Sequence, residues 1–158
     1  MAASGQPIAT FCGAVDAAAA VVPDLPAVVE DRSGASLSYG QLSDLSKRAA
    51  HGLLRAGVVS RCRRPVATCM RRGCDWYVVY VASSRLGTPL AGLSTDLRTD
   101  PSAAARRNRQ LMEELEPQLL VLDVDAADNA PGEEEEAFGK LPPLGSCRLQ
   151  DLLQVGIE

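Results

Sequence analysis

The 158-residue chain is poor in aromatics, with one Trp, three Tyr and two Phe, and it has a single histidine. His51 falls about 200° around its predicted helix from Ala49, away from the apolar stripe, and reads as solvent-facing. Without a second His, neither a Ser-His-Asp triad nor a two-His metal site can be assembled. No apolar run approaches the roughly 18 residues of a membrane span. Met1 to Val22 has no Lys or Arg and carries Asp16, which fits neither a secretory signal nor an Arg-rich transit peptide. A cytoplasmic location is the expectation. The five cysteines (Cys12, Cys62, Cys69, Cys74 and Cys147) are odd in number and contain no CxxC pair, so they read as free reduced thiols. The spacing of Cys62, Cys69 and Cys74 also fails the short knuckle that places two thiolates on one zinc. There is no GxGxxG and no GxxxxGK[ST]. Gly139-Lys140 is followed by Leu141 and preceded by a Glu run that repels phosphate.

Charge of one sign is also missing from whole segments. Met1–Leu45 has 1 basic and 5 acidic residues, Ser46–Arg109 has 13 and 3, and Gln110–Glu158 has 2 and 12. The segments therefore carry −4, +10 and −10. The arginines of the middle lack interleaved aromatics, so oppositely charged parts of one fold, or a partner, explain them better than nucleic acid. The length suits one domain with a core of its own.

Thr10–Val22 reads as an Ala-rich helix ended by Pro23-Asp24-Leu25-Pro26. Ala27–Asp31 reads as a strand, Arg32-Ser33-Gly34 as a turn, and Leu37 opens a stretch that pairs back as a hairpin. Ser38 and Gln41 match a capping box, and Leu42, Leu45, Ala49, Leu53 and Ala56 recur at helical spacing up to Gly57. This predicts a helix over 39–56. Pro65–Met70 reads as a strand buried on both faces. A second helix places Trp76, Val79, Tyr80 and Ser83 on one side, with Asp75 at its start and Gly87 past its end. Pro89–Leu93 is a predicted strand and Ser94–Asp100 a loop. A third helix runs from Pro101 to about Glu116, and Gln118–Asp123 is the clearest strand. Alternating strands and helices predict an α/β fold: a partial Rossmann-like, mostly parallel sheet flanked by helices. Residues 124–147 form an acidic, Pro/Gly-rich loop within a single domain spanning 1–158, and Leu149–Val155 returns as a strand or short helix.

Few residues offer chemistry. The Glu133–Glu136 run has consecutive positions that do not converge on a cation. Arg63-Arg64 and Arg71-Arg72 flank a buried strand, where they could meet a phosphate or snorkel at its rims. Trp76 and Tyr80 read as core rather than as a stacking platform. The residues define a scaffold and name no catalytic, cofactor-binding or metal-ligating side chain.

Taken in order, the segments resemble the N-terminal part of adenylate-forming (AMP-binding) enzymes: acyl-CoA synthetases, luciferases and peptide-synthetase adenylation domains. Pro23-Asp24-Leu25-Pro26-Ala27-Val28-Val29 resembles that family's Pro-Asp-x-Pro-Ala-Val strand entry. Leu37-Ser38-Tyr39-Gly40-Gln41-Leu42 resembles its Leu-Thr-Tyr-x-Glu-Leu motif. Leu54–Val58 resembles its helix exit, Pro65–Met70 its Val-Ala-x-Leu-Leu strand, and Asp75–Leu93 and Leu111–Asp123 the blocks that follow. Departures are Ser60-Arg61-Cys62-Arg63-Arg64 where Pro-Gly-Asp is usual, Leu90-Ala91-Gly92-Leu93-Ser94 for Tyr-Val-Pro-Leu-Asp, and a longer loop Thr95–Ala105. The resemblance implies an ATP-dependent ligase that makes an acyl-adenylate with magnesium. The acyl group is then passed to coenzyme A or a phosphopantetheine arm. The family's phosphate loop, adenine motif, ribose-binding Asp and catalytic Lys all come later in its sequences, and none is among these residues. The resemblance therefore implies that the single domain spanning 1–158 is incomplete. The expectation is an N-terminal fragment, inactive alone, whose partners are the remainder of its own domain and a carrier protein or CoA. The rival readings are a stand-alone interaction module that docks through the basic middle or acidic tail, and a thiol-dependent redox protein.

Overall fold

The computed structural model describes residues 10–95, 101–123 and 137–154. Thr10 caps helix α1 (Phe11–Val21) by accepting from the Gly13 N–H. β1 (Pro26–Val29) and β2 (Ser36–Ser38) form an antiparallel hairpin. Helix α2 (Tyr39–Arg55) begins with the expected capping box: the Gln41 N–H donates to Ser38 Oγ at 3.3 Å, and the Ser38 N–H to Gln41 Oε1 at 2.9 Å. Gly57, at φ +96°, turns the chain beyond its end. There follow β3 (Val66–Cys69), α3 (Cys74–Leu86), β4 (Leu90–Gly92), α4 (Pro101–Leu115), β5 (Leu119–Leu122), β6 (Ser146–Arg148) and α5 (Leu149–Leu153). Because α4 begins at Pro101, the long loop expected to reach Ala105 ends before it.

Four strands form one parallel sheet in the order β4-β3-β5-β6. Every residue of β3 and β5 is buried, as expected of strands covered on both faces. Their side chains alternate between two cores. Val66, Leu119 and Val121 meet Leu53, Val78, Val79 and Leu152 of α2, α3 and α5. Ala67, Cys69, Leu120 and Leu122 meet Leu93, Met112 and Phe138. A one-residue slip in register would exchange the two sets.

Of the expected loop 124–147, residues 124–136, with Glu133–Glu136, lie outside the described residues. Its last two residues begin β6, and Ala137 and Phe138 are buried in the second core. Ser-Cys-Arg has no β-branched or aromatic residue, so its strand comes from pairing with β5 and not from local preference.

A polar staple joins the helix layer. Arg85 Nη1 and Nη2 donate to the two Asp16 oxygens at 2.7 Å each, Arg85 Nε donates to Ser46 Oγ at 3.0 Å, and Ser43 Oγ donates to Asp16 at 2.7 Å. This ties α1, α2 and α3 through one bidentate fork. The Arg85 hydrogen bonds, with Ser43 and Lys47 adding, outweigh partial burial and hold Asp16 well below the usual carboxylate range. The staple therefore stabilises the fold above the ordinary carboxyl value of 3.8, and that contribution is lost as pH falls below it toward the folded value. Because the Asp16 side chain is 40% exposed, screening limits the effect to about 1 kcal/mol. Asp16→Asn is expected to lose that stability at neutral pH in urea titrations, with the gap from the parent closing below pH 4; parallel curves across that range would contradict it.

α5 sits on Gly52, where an added Cβ would run into the Leu152 backbone. Gly52→Ala is expected to cost about 1–3 kcal/mol by overpacking. Gly92→Ala, which meets nothing within 4 Å, should change urea stability far less.

Candidate functional site

In open parallel sheets, ligands bind outside the carboxyl ends of the strands, so that edge is the candidate site. Arg71 follows β3 and lies 3.6 Å (Nε to Oδ2) from Asp123, which follows β5. The Asp123 N–H donates to the Cys69 carbonyl at 3.2 Å, so the two strand ends are locked in register. After β4, Ser94 is held by the fully buried Asn108 of α4. Asn108 Oδ1 accepts from the Ser94 N–H at 2.8 Å, and Nδ2 donates to the Ser94 carbonyl at 3.1 Å. Cys69 Sγ donates to that same carbonyl at 3.3 Å.

Glu30, at the end of the hairpin, reaches the start of α3. Its Oε1 accepts from the Cys74 N–H at 2.7 Å and its Oε2 from Ser33 Oγ at 2.6 Å. The Ser33 hydroxyl and then the Cys74 N–H hold its carboxyl below the ordinary value. Gly73 occupies the cap position of α3, and a Cβ there would strike Glu30 Oε1. A carboxylate borrowed from another element thus does the capping. Asp75 is pushed up by burial, then by the charges of Asp123 and Glu30, so the edge is locally negative.

The residues singled out by sequence lie apart. His51 is exposed on α2. Arg64 is at the opposite end of the sheet, its Nε donating to the Glu116 carbonyl at 2.7 Å. Gly139-Lys140 follows the buried Phe138 and lies against the stem of Arg109. Trp76 and Tyr80 differ from the expectation of core: Trp76 is half-buried and Tyr80 is 36% exposed. They stack on each other at 5.1 Å, with Phe11 against Tyr80 at 5.0 Å and Arg72 over Trp76 at 5.8 Å. Valines explain the difference, because Val78, Val79, Val81 and Ala82 take the buried positions of α3 and turn the aromatics to the rim. A cleft of about 430 Å³ between α1 and the hairpin is lined by Phe11, Ala14, Ala18, Val28, Tyr39 and Tyr77 among others, none with a carboxylate, amine or imidazole. Among the described residues no group of three or more His, Cys, Asp or Glu could hold a metal ion, and no helix is long and apolar enough to cross a membrane.

Family comparison decides what this scaffold is. The model of the AMP-binding enzyme family matches residues 15–155. The chain belongs to the AMP-binding enzyme family. The nonribosomal peptide synthetase ungA' of Aspergillus campestris (strain IBT 28561) is 34% identical over 101 residues, which are 64% of this chain and 1% of that protein. The fatty acid AMP ligase of Legionella pneumophila superposes with a TM-score of 0.74 at 13% identity, covering 91% of this chain and 24% of that one. The O-succinylbenzoate Coenzyme A synthetase of Bacillus subtilis, in complex with AMP, gives 0.66 at 19% identity, covering 91% and 33%. The N-terminal subdomain of Klebsiella oxytoca NpsA gives 0.67 at 14%, covering 98% and 34%. The chain thus spans a quarter to a third of these structures and about a hundredth of the curated relative.

An AMP-binding enzyme implies a nucleotide and a divalent cation, and the described edge does not fit the nucleotide's phosphates. Asp75, Asp123 and Glu30 crowd it with negative charge, while Arg71 is taken by Asp123 and Arg72 by Trp76.

The thiols differ in character. Burial pushes the Cys12 thiol up, but Thr10 and Ser84 hydroxyls and the Arg85 charge outweigh it and leave it below its ordinary value. Burial, joined by Asp123 and by Asp151 respectively, pushes Cys69 and Cys147 up to about 11. Iodoacetamide at neutral pH is expected to label Cys12 well before Cys69 or Cys147 in the native chain, as read by peptide mass mapping. Cys69 labelling as fast as Cys12 would contradict this environment.

Proposed function

We propose that this chain is the N-terminal scaffold of an ATP-dependent, carboxylate-activating ligase and carries no catalytic group of its own. The observation that supports it is the family match over 15–155 on a parallel sheet whose carboxyl edge, in its described residues, is acidic and internally bonded. In this reading ATP and magnesium, and coenzyme A or a phosphopantetheine arm, are bound by the rest of a longer, cytoplasmic protein. The sheet and helices described above are the wall against which that rest forms the cleft. Partners are the remainder of the AMP-binding domain and a carrier protein, in keeping with a neighbour that is an artificially fused adenylation–PCP di-domain from Klebsiella oxytoca.

The test is an ATP–pyrophosphate exchange assay on the purified chain, with magnesium and a panel of carboxylic and amino acids. No exchange above the protein-free blank is expected, and isothermal titration with magnesium-ATP should give no heat of binding. Substrate-dependent exchange by this chain would overturn the scaffold reading.

A further inference from the structure

The amino ends of the parallel strands carry a surface that the adenylation reading leaves unused. The loop between α2 and β3 lies there: the Val59 N–H donates to Gln118 Oε1 at 2.8 Å, and Gln118 Nε2 donates to the Val59 and Arg64 carbonyls at 3.3 and 2.8 Å. Gln118, buried just before β5, thereby fixes the loop to the sheet. What the loop presents is both apolar and cationic. Leu54 is 45% exposed and Val59 61%, and Leu144, 38% exposed, lies against Gly57. Arg55, Arg61 and Arg63 of the same stretch are exposed, and none makes a side-chain hydrogen bond or ion pair among the described residues. The stretch 54–64 contains no acidic residue.

Arg61 adds a second observation. It stands at φ +54°, a left-handed conformation that favours glycine, with its N–H donating to the Leu86 carbonyl at 2.9 Å. An exposed, charged side chain thus stands where the backbone favours glycine.

We infer that this loop, with Leu54 and Leu144, is a docking surface for an acidic amphipathic helix of a partner protein. Leucine-type side chains of such a helix would cover Leu54, Val59 and Leu144, and flanking carboxylates would meet the three arginines. An anionic membrane fits less well, because Glu113, Glu114 and Glu116 are exposed where α4 ends beside Arg64 and would face an extended anionic sheet, whereas one helix can avoid them. Nucleic acid fits less well because 54–64, 110–118 and 141–145 contain no aromatic residue on which a base could stack. The inference is independent of the adenylation reading, since these residues lie at the opposite end of the sheet from the candidate site.

The test is fluorescence anisotropy of the full chain with a labelled helical peptide of Leu, Ala and Glu, about 18 residues long. Its Lys-for-Glu counterpart, phosphatidylserine vesicles and a single-stranded oligonucleotide are run in parallel. The acidic peptide is expected to bind, and raised salt to weaken it. Val59→Ser should weaken it roughly threefold and Arg61→Gly/Arg63→Ala roughly tenfold. Arg61→Gly alone should weaken binding while leaving Tm unchanged or raised, because glycine relieves the left-handed backbone; this separates lost contact from lost fold. Absence of binding, equal binding by the variants, equal binding of the basic peptide, or binding only of vesicles or oligonucleotide would overturn the inference.

Discussion

The pairing of β3 with β5 is the constraint on which the rest of the molecule depends. Val66 to Cys69 lie in register with Leu119 to Leu122, and all eight residues are buried. Two adjacent parallel strands buried on both faces require a helical layer on each side, since neither face can be left to water. α2, α3 and α5 cover one face, and α4 with Phe138 covers the other. The same register brings Arg71 to Asp123 at one end and Pro65 to Gln118 at the other, so it positions both the candidate edge and the arginine loop.

Elements defined by neighbours along the chain are legible in the residues themselves. The Ser38–Gln41 box, the stripe of Leu42, Ala49 and Leu53, Gly57 and Gly87 as helix ends, and the unbroken apolar runs of β3 and β5 each encode their structure within a few residues. Features built across long separations are not. Glu30 caps a helix 44 residues away, Asp16 and Arg85 are 69 apart, and Gln118 holds a loop 59 residues back. No local pattern marks any of them, because an exposed-looking Glu or Gln carries no sign of its partner. β6 and the rim position of Trp76 and Tyr80 fall in the same class: the first is imposed by β5, and the second by valines competing for the core side of α3.

The candidate site is legible in the sequence mainly as an absence. The sequence contains no GxxxxGK[ST] phosphate loop and one histidine, and the structure adds the charge arrangement of the described edge. Its cations are engaged by Asp123 and Trp76, and its carboxylates reinforce one another. The carboxyl end of the sheet gathers Glu30, Asp75 and Asp123, while the amino end presents Arg55, Arg61 and Arg63 with exposed Leu54 and Val59.

The scaffold role requires a larger polypeptide to complete the domain. Intact-mass measurement of the native protein, with its transcript read past the codon for Glu158, tests this most directly. The predicted result is a mass well above that of these 158 residues and a coding sequence that runs on into a Gly/Ser/Thr-rich loop ending in Lys. A native product that ends at Glu158, with no such continuation, would contradict it.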